Sequence, residues 1–394
     1  MSNLKPAIIA IGYNRPDALS RLLTSLSRAD YPTENIPLII SIDRSDNQAD
    51  VVAAAEAFDW THGTKIIRRF DERQGLRKHV LQCGDLSETY GTVIILEDDL
   101  IVSPDYYRYV SSALHFYEDQ PCIAGISLYS HAWNGYADYA FIAERNGYDT
   151  YLGQFSITWG QCWTAAQWKS FRAWYLINTG KIDRLNNRIP DDISRWPETS
   201  WGKYFACYLV ENNLFYVVPY VSLSTNCEEM GQHANGNSDA HQVPLLASGI
   251  VDYRFAPIEA AIRYDLFFER MNLDIHLNSG ILPEDLCIDL NATKRSTFGK
   301  RYLLTTQRYD LPVVRSYGLR LRPIEANVIF GLPGDVIRLY DAKDGLPTPI
   351  KPDEFRRLQY ELYRFDWRRL LRFTLRTIRV KVRQRISRLF RKDA

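Results

Sequence analysis

Between Gly91 and Leu100 the chain reads Gly-Thr-Val-Ile-Ile-Leu-Glu-Asp-Asp-Leu. From Val93 to Leu96 there is no polar residue, and the run is mostly β-branched. Such a run suits a strand covered on both faces, the middle of a parallel sheet. It stops abruptly at three adjacent carboxylates, Glu97, Asp98 and Asp99. Uncompensated, three such neighbours repel one another and draw protons onto some of their number. A hard divalent cation with oxygen ligands relieves that repulsion and leaves positions open for phosphate oxygens. In open α/β sheets ligands gather just beyond the carboxyl ends of strands, where this cluster falls. The alternative without a ligand is an acidic turn leading into the helix that begins near Ser103-Pro104-Asp105, and the rest of the chain has to decide between the two.

The same alternation of strand and helix repeats on either side. An apolar run, Ala7 to Ile11, ends in Gly12-Tyr13-Asn14-Arg15-Pro16. A helix from Pro16 to Ser27 follows, with Leu19, Leu22, Leu23 and Leu26 on one face and Pro16 at its first position. Residues 37–43 form a second strand that ends in Asp43, and an Ala-rich helix covers 48–58. A third strand covers 65–68, and a helix lies around Lys78 to Cys83. After the Glu-Asp-Asp strand the pattern predicts a helix from Pro104 to Tyr117. Strands alternating with helices imply a doubly wound, mostly parallel sheet with right-handed crossovers.

Several classes are excluded. No Gly-x-Gly-x-x-Gly follows the first strand and no P-loop is present, which removes dinucleotide enzymes and P-loop NTPases. The six cysteines form no Cys-x-x-Cys pair and read as apolar filler in a reducing compartment. Neither a leader peptide nor an apolar run of membrane-spanning length is visible. These features place the expectation in the cytoplasm.

Beyond Ile123 the sequence turns aromatic. Trp163, Gln167, Phe171 and Trp174 recur at helical spacing and predict a core-facing helix. Residues 217–219 and 221–223 read as strand. A polar loop, residues 226–239, carries Glu228, Glu229 and His233 and is a candidate lid. Residues 254–271 read as helix. From 273 to 350 the pattern favours strands and turns, at Leu286–Leu290, Tyr302–Thr306, Asn327–Phe330 and Val336–Tyr340. The expected domains are therefore 1–272, a small β-rich extension at 273–350, and a final helical segment at 351–394.

That last segment is strongly basic. Between Arg364 and Lys392 stand 12 Lys and Arg against one acidic residue, Asp366, so the remainder of the chain is acidic. Leu371, Leu375, Ile378, Val382, Ile386 and Leu389 form one stripe at steps of three or four. An apolar stripe among arginines fits a helix lying in a membrane interface, with its basic residues among anionic headgroups. A nucleic-acid partner would not call for so continuous a stripe.

The run Ile95-Leu-Glu-Asp-Asp-Leu-Ile-Val-Ser-Pro-Asp-Tyr-Tyr-Arg-Tyr109 resembles the metal-binding stretch of GT-A fold glycosyltransferases. It is most similar to the Golgi enzymes that add N-acetylglucosamine to mannose and to bacterial polysaccharide, family 2-like enzymes. Further matches occur in the same order: Gly12-Tyr13-Asn14-Arg15, Ser41-Ile42-Asp43, Arg77-Lys78-His79, Trp159-Gly160, Trp196-Pro197 with Trp201, and Met230-Gly231-Gln232-His233. The resemblance spans roughly residues 6–236.

It implies a GT-A fold and transfer of a sugar from a nucleotide-sugar donor to a glycan or lipid-linked acceptor in surface polysaccharide synthesis, with inversion. Asp99 would bind Mn²⁺ or Mg²⁺, while Glu97 and Asp98 would hold ribose or sugar hydroxyls. Tyr13, Asn14, Arg15, Asp43, Arg77 and His79 would line the nucleotide site. Trp159, Gly160, Trp201 and His233 would belong to the acceptor side and the lid. The Golgi enzymes carry a Trp-Asp-Asp-Trp segment that supplies the catalytic base, whereas this chain has Trp201-Gly202-Lys203-Tyr204. Glu198 and Glu229 are the favoured substitutes, with Asp191, Asp192 and Glu228 behind them. With the basic helix, the resemblance implies a peripheral enzyme at the inner face of the plasma membrane. A catalytically silent nucleotide-sugar-binding module in a polysaccharide assembly complex is the alternative.

Overall fold

A computed structural model of the chain describes residues 5–32, 34–227, 241–247, 251–277, 280–350, 354–362 and 366–390. The first part of the chain alternates strand and helix: β1 (Ala7–Gly12), α1 (Pro16–Ser27), β2 (Leu38–Ile42), α2 (Gln48–Ala57), β3 (Lys65–Arg69), α3 (Leu76–Asp85), α4 (Ser87–Tyr90), β4 (Thr92–Glu97), β5 (Leu100–Val102), α5 (Tyr106–Phe116) and β6 (Ile123–Ser127). The middle holds β7 (Trp133–Asn134), β8 (Tyr139–Ala140), β9 (Thr150–Gly153), β10 (Gln161–Thr164), α6 (Ala165–Asn178), α7 (Asp191–Arg195), α8 (Trp201–Asn212), β11 (Phe215–Pro219), β12 (Ser224–Asn226) and β13 (Arg263–Tyr264). Then come β14 (Leu286–Asp289), β15 (Tyr302–Thr305), β16 (Val313–Tyr317), α9 (Ala326–Ile329), β17 (Ile337–Asp341), α10 (Glu354–Glu361) and α11 (Trp367–Phe390).

The large sheet runs β13-β9-β11-β6-β10-β4-β1-β2-β3. Pairs β1–β2, β1–β4, β2–β3, β6–β11 and β9–β13 are parallel, and β10 runs antiparallel between β4 and β6. The chain is thus a mixed α/β protein with a large, mostly parallel central sheet. Strand alternation divides the apolar residues between two layers. Ala7, Ile9 and Ile11 face a core shared with Val80, Trp168 and Trp201. Ile8 and Ala10 face the core of Leu19, Leu22, Leu23 and Tyr107. Helices α3, α6 and α8 therefore cover one face and α1 and α5 the other, which explains why β1, β2 and most of β4 are wholly buried.

A second sheet, β14-β15-β17-β16, has its own core of Leu286, Leu304, Tyr317, Val328 and Leu339. Residues 1–350 form one compact unit and 351–394 another. Among the described residues no helix is long and apolar enough to cross a membrane.

Three local expectations are corrected. Residues 254–271 are not helical. Asp265 accepts hydrogen bonds from Phe267 N and Glu269 N (2.9 and 3.0 Å), and this side-chain competition folds the segment into a tight turn beside β13. Asn327–Phe330 is not a strand. The buried Asn327 amide bonds the backbone of Arg320, Leu321 and Ile324 and closes the single turn α9. Trp163 lies in β10 and not on the following helix, because Thr164 and Gln167 form a reciprocal cap that starts α6 after it.

Candidate active site

Three strand ends supply the site. At the end of β4, Asp98 is 4 % exposed, and its carboxylate takes the guanidinium of Arg15 from the loop after β1. The same guanidinium reaches Asp99 Oδ2 at 3.3 Å. Asp99 Oδ1 is buried and has no hydrogen-bond partner among the described residues. Burial pushes the Glu97 carboxyl up to about 8, the Asp99 and Asp98 charges add to the rise, and Arg15 opposes it. The repulsion foreseen for this triplet is thus relieved by one guanidinium and by a proton on Glu97.

At the end of β2, Asp43 is spent on the backbone. Its Oδ1 accepts from Gln74 N and Arg44 N (2.7 and 2.8 Å), and its Oδ2 accepts from Gly75 N (2.9 Å). The carboxylate thereby clamps the loop between β3 and α3 against its own strand. Tyr13 and Asn14, after β1, join the same corner: Ser45 donates to Tyr13 O at 2.8 Å and Asn47 to Asn14 O at 3.3 Å. Tyr13, Asn14, Arg15 and Asp43 thus lie together at one end of the sheet.

The other predicted residues divide. His79 is buried beneath the loop, with Nε2 2.7 Å from Ser41 Oγ, and burial lowers its pKa to about 4, so it is neutral. Arg77 extends from α3 to donate to the Glu198 carbonyl. Trp159 and Gly160 lie where β10 begins, between the ends of β4 and β6. Trp201 is 1 % exposed and packs edge-on against Trp163 and Phe205 in the core. Glu198 is bound by Tyr204 Oη and by Lys203 Nζ, the latter at 3.2 Å. Tyr204 chiefly, and Lys203 with it, lowers the Glu198 pKa. Asp191 pairs with Arg295 and Asp192 with Arg195. Glu228, Glu229 and His233 lie outside the described residues, as does most of the expected lid.

Among the described residues no group of three or more His, Cys, Asp and Glu side chains stands ready to hold a metal ion. A site that takes one carboxylate from the protein and its other ligands from a diphosphate does not need such a group. Asp99, with a buried unpartnered oxygen, fits that role once Arg15 gives way.

Sequence reasoning missed the Arg15–Asp98–Asp99 bridge, which joins segments 83 residues apart.

Residues 3–175 match the model of the GNT-I family. Comparison with curated proteins found no match. Among solved structures, the chain is similar to S. aureus TarS 1–349, at 14% identity over 56% of this chain and 59% of that one, with a TM-score of 0.35. TarS 1–349 in complex with UDP-GlcNAc gives 12% identity over 58% and 60%, with a TM-score of 0.37. The mannosyltransferase PcManGT from Pyrobaculum calidifontis, in complex with GDP-Man and Mn²⁺, gives 14% identity over 42% and 46%, with a TM-score of 0.30. The chain therefore spans about three fifths of the length of TarS 1–349. The resemblance drawn from the Glu-Asp-Asp stretch holds: in its first 175 residues the chain is similar to glycosyltransferases of the GNT-I type.

Proposed function

We propose that this chain is a glycosyltransferase that moves a sugar from a nucleotide-sugar donor to a glycan or lipid-linked acceptor. The observation that carries the proposal is the meeting of Asp98, Asp99 and Arg15 with the Asp43-clamped loop at the carboxyl end of the sheet. A Mn²⁺ or Mg²⁺ ion held by Asp99 would stabilise charge on the departing nucleotide diphosphate. The protein's own contributions are to bind and orient. Arg15, released from Asp98, is the cation within reach of the diphosphate. Glu97 and Asp98 offer acceptor oxygens to ribose or sugar hydroxyls. Tyr13 and Asn14 border the nucleoside.

An inverting reaction needs a base for the acceptor hydroxyl, with proton affinity near the working pH. Glu198 is ionised but held low by Tyr204 and Lys203, which weakens it in that role, and Glu229 is the other candidate. We assign the transferase to residues 1–272, the β-rich extension to 273–350 and the basic segment to 351–394. In α11 the side chains of Leu371, Leu375, Ile378 and Val382 stand about half exposed among arginines. That supports attachment to an anionic membrane surface, at the inner face of the plasma membrane, where lipid-linked acceptors of polysaccharide synthesis reside.

The test is thermal stabilisation by a panel of nucleotide sugars with and without Mn²⁺, followed by transfer assays on the donor that responds. Asp99→Asn should abolish the Mn²⁺-dependent part of the response. A wild-type protein indifferent to every nucleotide sugar would end the proposal. One pair of observations favours the silent module instead: Arg15 spans the carboxylates, and Glu198 is consumed by Tyr204 and Lys203. Donor binding without turnover on any acceptor would select it.

A further inference from the structure

Strand β10 has Gln161 level with Ile95 of β4 on one side and with Ser127 of β6 on the other. Strands β4 and β6 therefore point the same way. Past this level the chain leaves β4 toward Asp99 on one side and leaves β6 toward His131 on the other, and the start of β10, Trp159-Gly160, lies between the two strand ends. The chain past β6 stays pinned there, since Leu128 N donates to Gly160 O and Leu223 N to Leu128 O (3.0 and 2.7 Å). The carboxylate side is pinned through the same strand: Ser224 Oγ donates to Trp159 O at 2.5 Å, and Cys227 N donates to Asp99 O at 2.8 Å.

Aromatic rings cluster at this edge. The His131 ring meets Tyr129, Phe155 and Phe268 edge-on at 5.1 to 5.2 Å and Trp159 at 6.0 Å. One face of Trp159 is covered by the imidazole of His241, stacked at 4.6 Å and 29°. Among these rings, His131 Nε2 is buried and has no hydrogen-bond partner among the described residues. A buried polar atom left unpaired is unfavourable, and native structures rarely keep one without a reason.

We propose that Trp159 and His131 form the subsite for a pyranose ring of the acceptor. The sugar face lies on the indole in place of the His241 imidazole, and one of its hydroxyls pairs with His131 Nε2. A flat apolar face with a polar atom at its rim is the arrangement that recognises a sugar, apolar on its ring face and ringed by hydroxyls. Burial and the nearby His241 lower the His131 pKa to about 3, so the ring is neutral. A neutral imidazole nitrogen donates to or accepts from a hydroxyl, which can do either. The same low proton affinity makes His131 a poor base, so its role is to position the acceptor. The inference rests on the glycosyltransferase reading and adds to it the place and chemical class of the acceptor.

The test uses the full chain, labelled with ¹³C at histidine Cε1, and a panel of methyl glycosides of glucose, galactose, mannose and N-acetylglucosamine. The chain has 7 histidines, and His131→Phe identifies the resonance in question. At least one glycoside should shift that resonance. His131→Phe, which keeps the ring shape and loses the nitrogen, should weaken binding roughly fivefold to tenfold, the size of one lost hydrogen bond. His131→Gln should restore part of it. His241→Ala, at an exposed position, should tighten binding because the indole is already clear. Unchanged affinity in His131→Phe, a His131 resonance unmoved by every glycoside, or weaker binding in His241→Ala would each overturn the proposal. Stabilisation of wild type and His131→Phe by nucleotide sugars with Mn²⁺ is measured alongside. If both respond alike and the glycosides ignore His131, only the acceptor subsite falls. If neither responds, the glycosyltransferase reading itself falls.

Discussion

The guanidinium of Arg15 bridges the carboxylates of Asp98 and Asp99, bringing the loop after β1 onto the end of β4. It occupies the place where a divalent cation would balance the same charge. The chain therefore carries an internal counter-ion for its own acidic cluster, and anything that binds these carboxylates has to displace or share it. The parallel pairing of β1 with β4 brings the segments that carry the two partners out at the same end of the sheet.

Replacing Arg15 with Met removes that counter-ion from the buried Asp98 carboxylate. Breaking one side of a buried pair costs about 3–5 kcal/mol, and the partial exposure of Arg15 puts the expectation at the low end of that range. Arg15→Met should therefore melt well below the wild type in chelator, and Mn²⁺ should restore its stability by more than it stabilises the wild type. Equal responses of the two proteins to Mn²⁺, measured by thermal melting, would show that Arg15 does not stand in for the ion.

Asp43 gives a different kind of prediction, because its carboxylate is committed to three backbone N–H groups. Asn is isosteric but presents an amide nitrogen that cannot accept, so Asp43→Asn loses at least one of these charge-assisted bonds. The expected loss is about 1–3 kcal/mol. It should come with faster hydrogen exchange at Gln74 and Gly75, while the amides of β1 and β4 stay protected. Uniform loosening across the sheet would contradict the clamp.

A pH dependence is expected from Glu325. The residue is buried, Tyr264 donates to it, and burial raises its pKa from the usual 4.5 to about 7 against the opposing effect of that bond. A carboxyl that holds its proton more tightly when folded adds stability that is complete below its unfolded pKa. That contribution disappears as pH rises through the folded value. Stability should thus fall between 4.5 and about 7 and then level off, by up to about 3 kcal/mol for this group alone. Glu325→Gln keeps an acceptor for Tyr264 and removes the titration. The variant should be more stable than the wild type at about pH 8, with the gap closing below the unfolded pKa. Denaturant unfolding at the two extremes checks the sign.

The parts of this molecule legible from sequence were those encoded locally. The apolar runs at Ala7–Ile11 and Val93–Leu96 each specify a strand with both faces covered, and the polar residues after them mark where those strands end. What could not be read depended on pairs distant in sequence. Nothing near Arg15 says that its guanidinium lands on Asp98, and nothing near Asp43 says that Gln74 and Gly75 will take up its oxygens. Residues 254–271 failed for a related reason: their apolar spacing fits a helix, yet Asp265 captures the backbone N–H groups that the helix would use.

Gly160 joins the start of β10 to the chain after β6, and its conformation is testable on its own. It sits at φ +97°, where an L side chain is strained, and a Cβ there would stand 3.0 Å from Ser224 Oγ and 3.2 Å from Leu128. Ser224 cannot retreat without giving up its bond to the Trp159 carbonyl, and Leu128 is fixed by Gly160 O itself. Gly160→Ala should therefore lose about 2–4 kcal/mol, from backbone strain and crowding together. Gly135 is the control, since a Cβ added there meets nothing within 4 Å and its φ is unremarkable. Gly135→Ala should be neutral or slightly stabilising through the unfolded chain. Urea unfolding of the two variants side by side decides the matter, because equal stabilities would mean that the Trp159-Gly160 corner is not held as tightly as its contacts require.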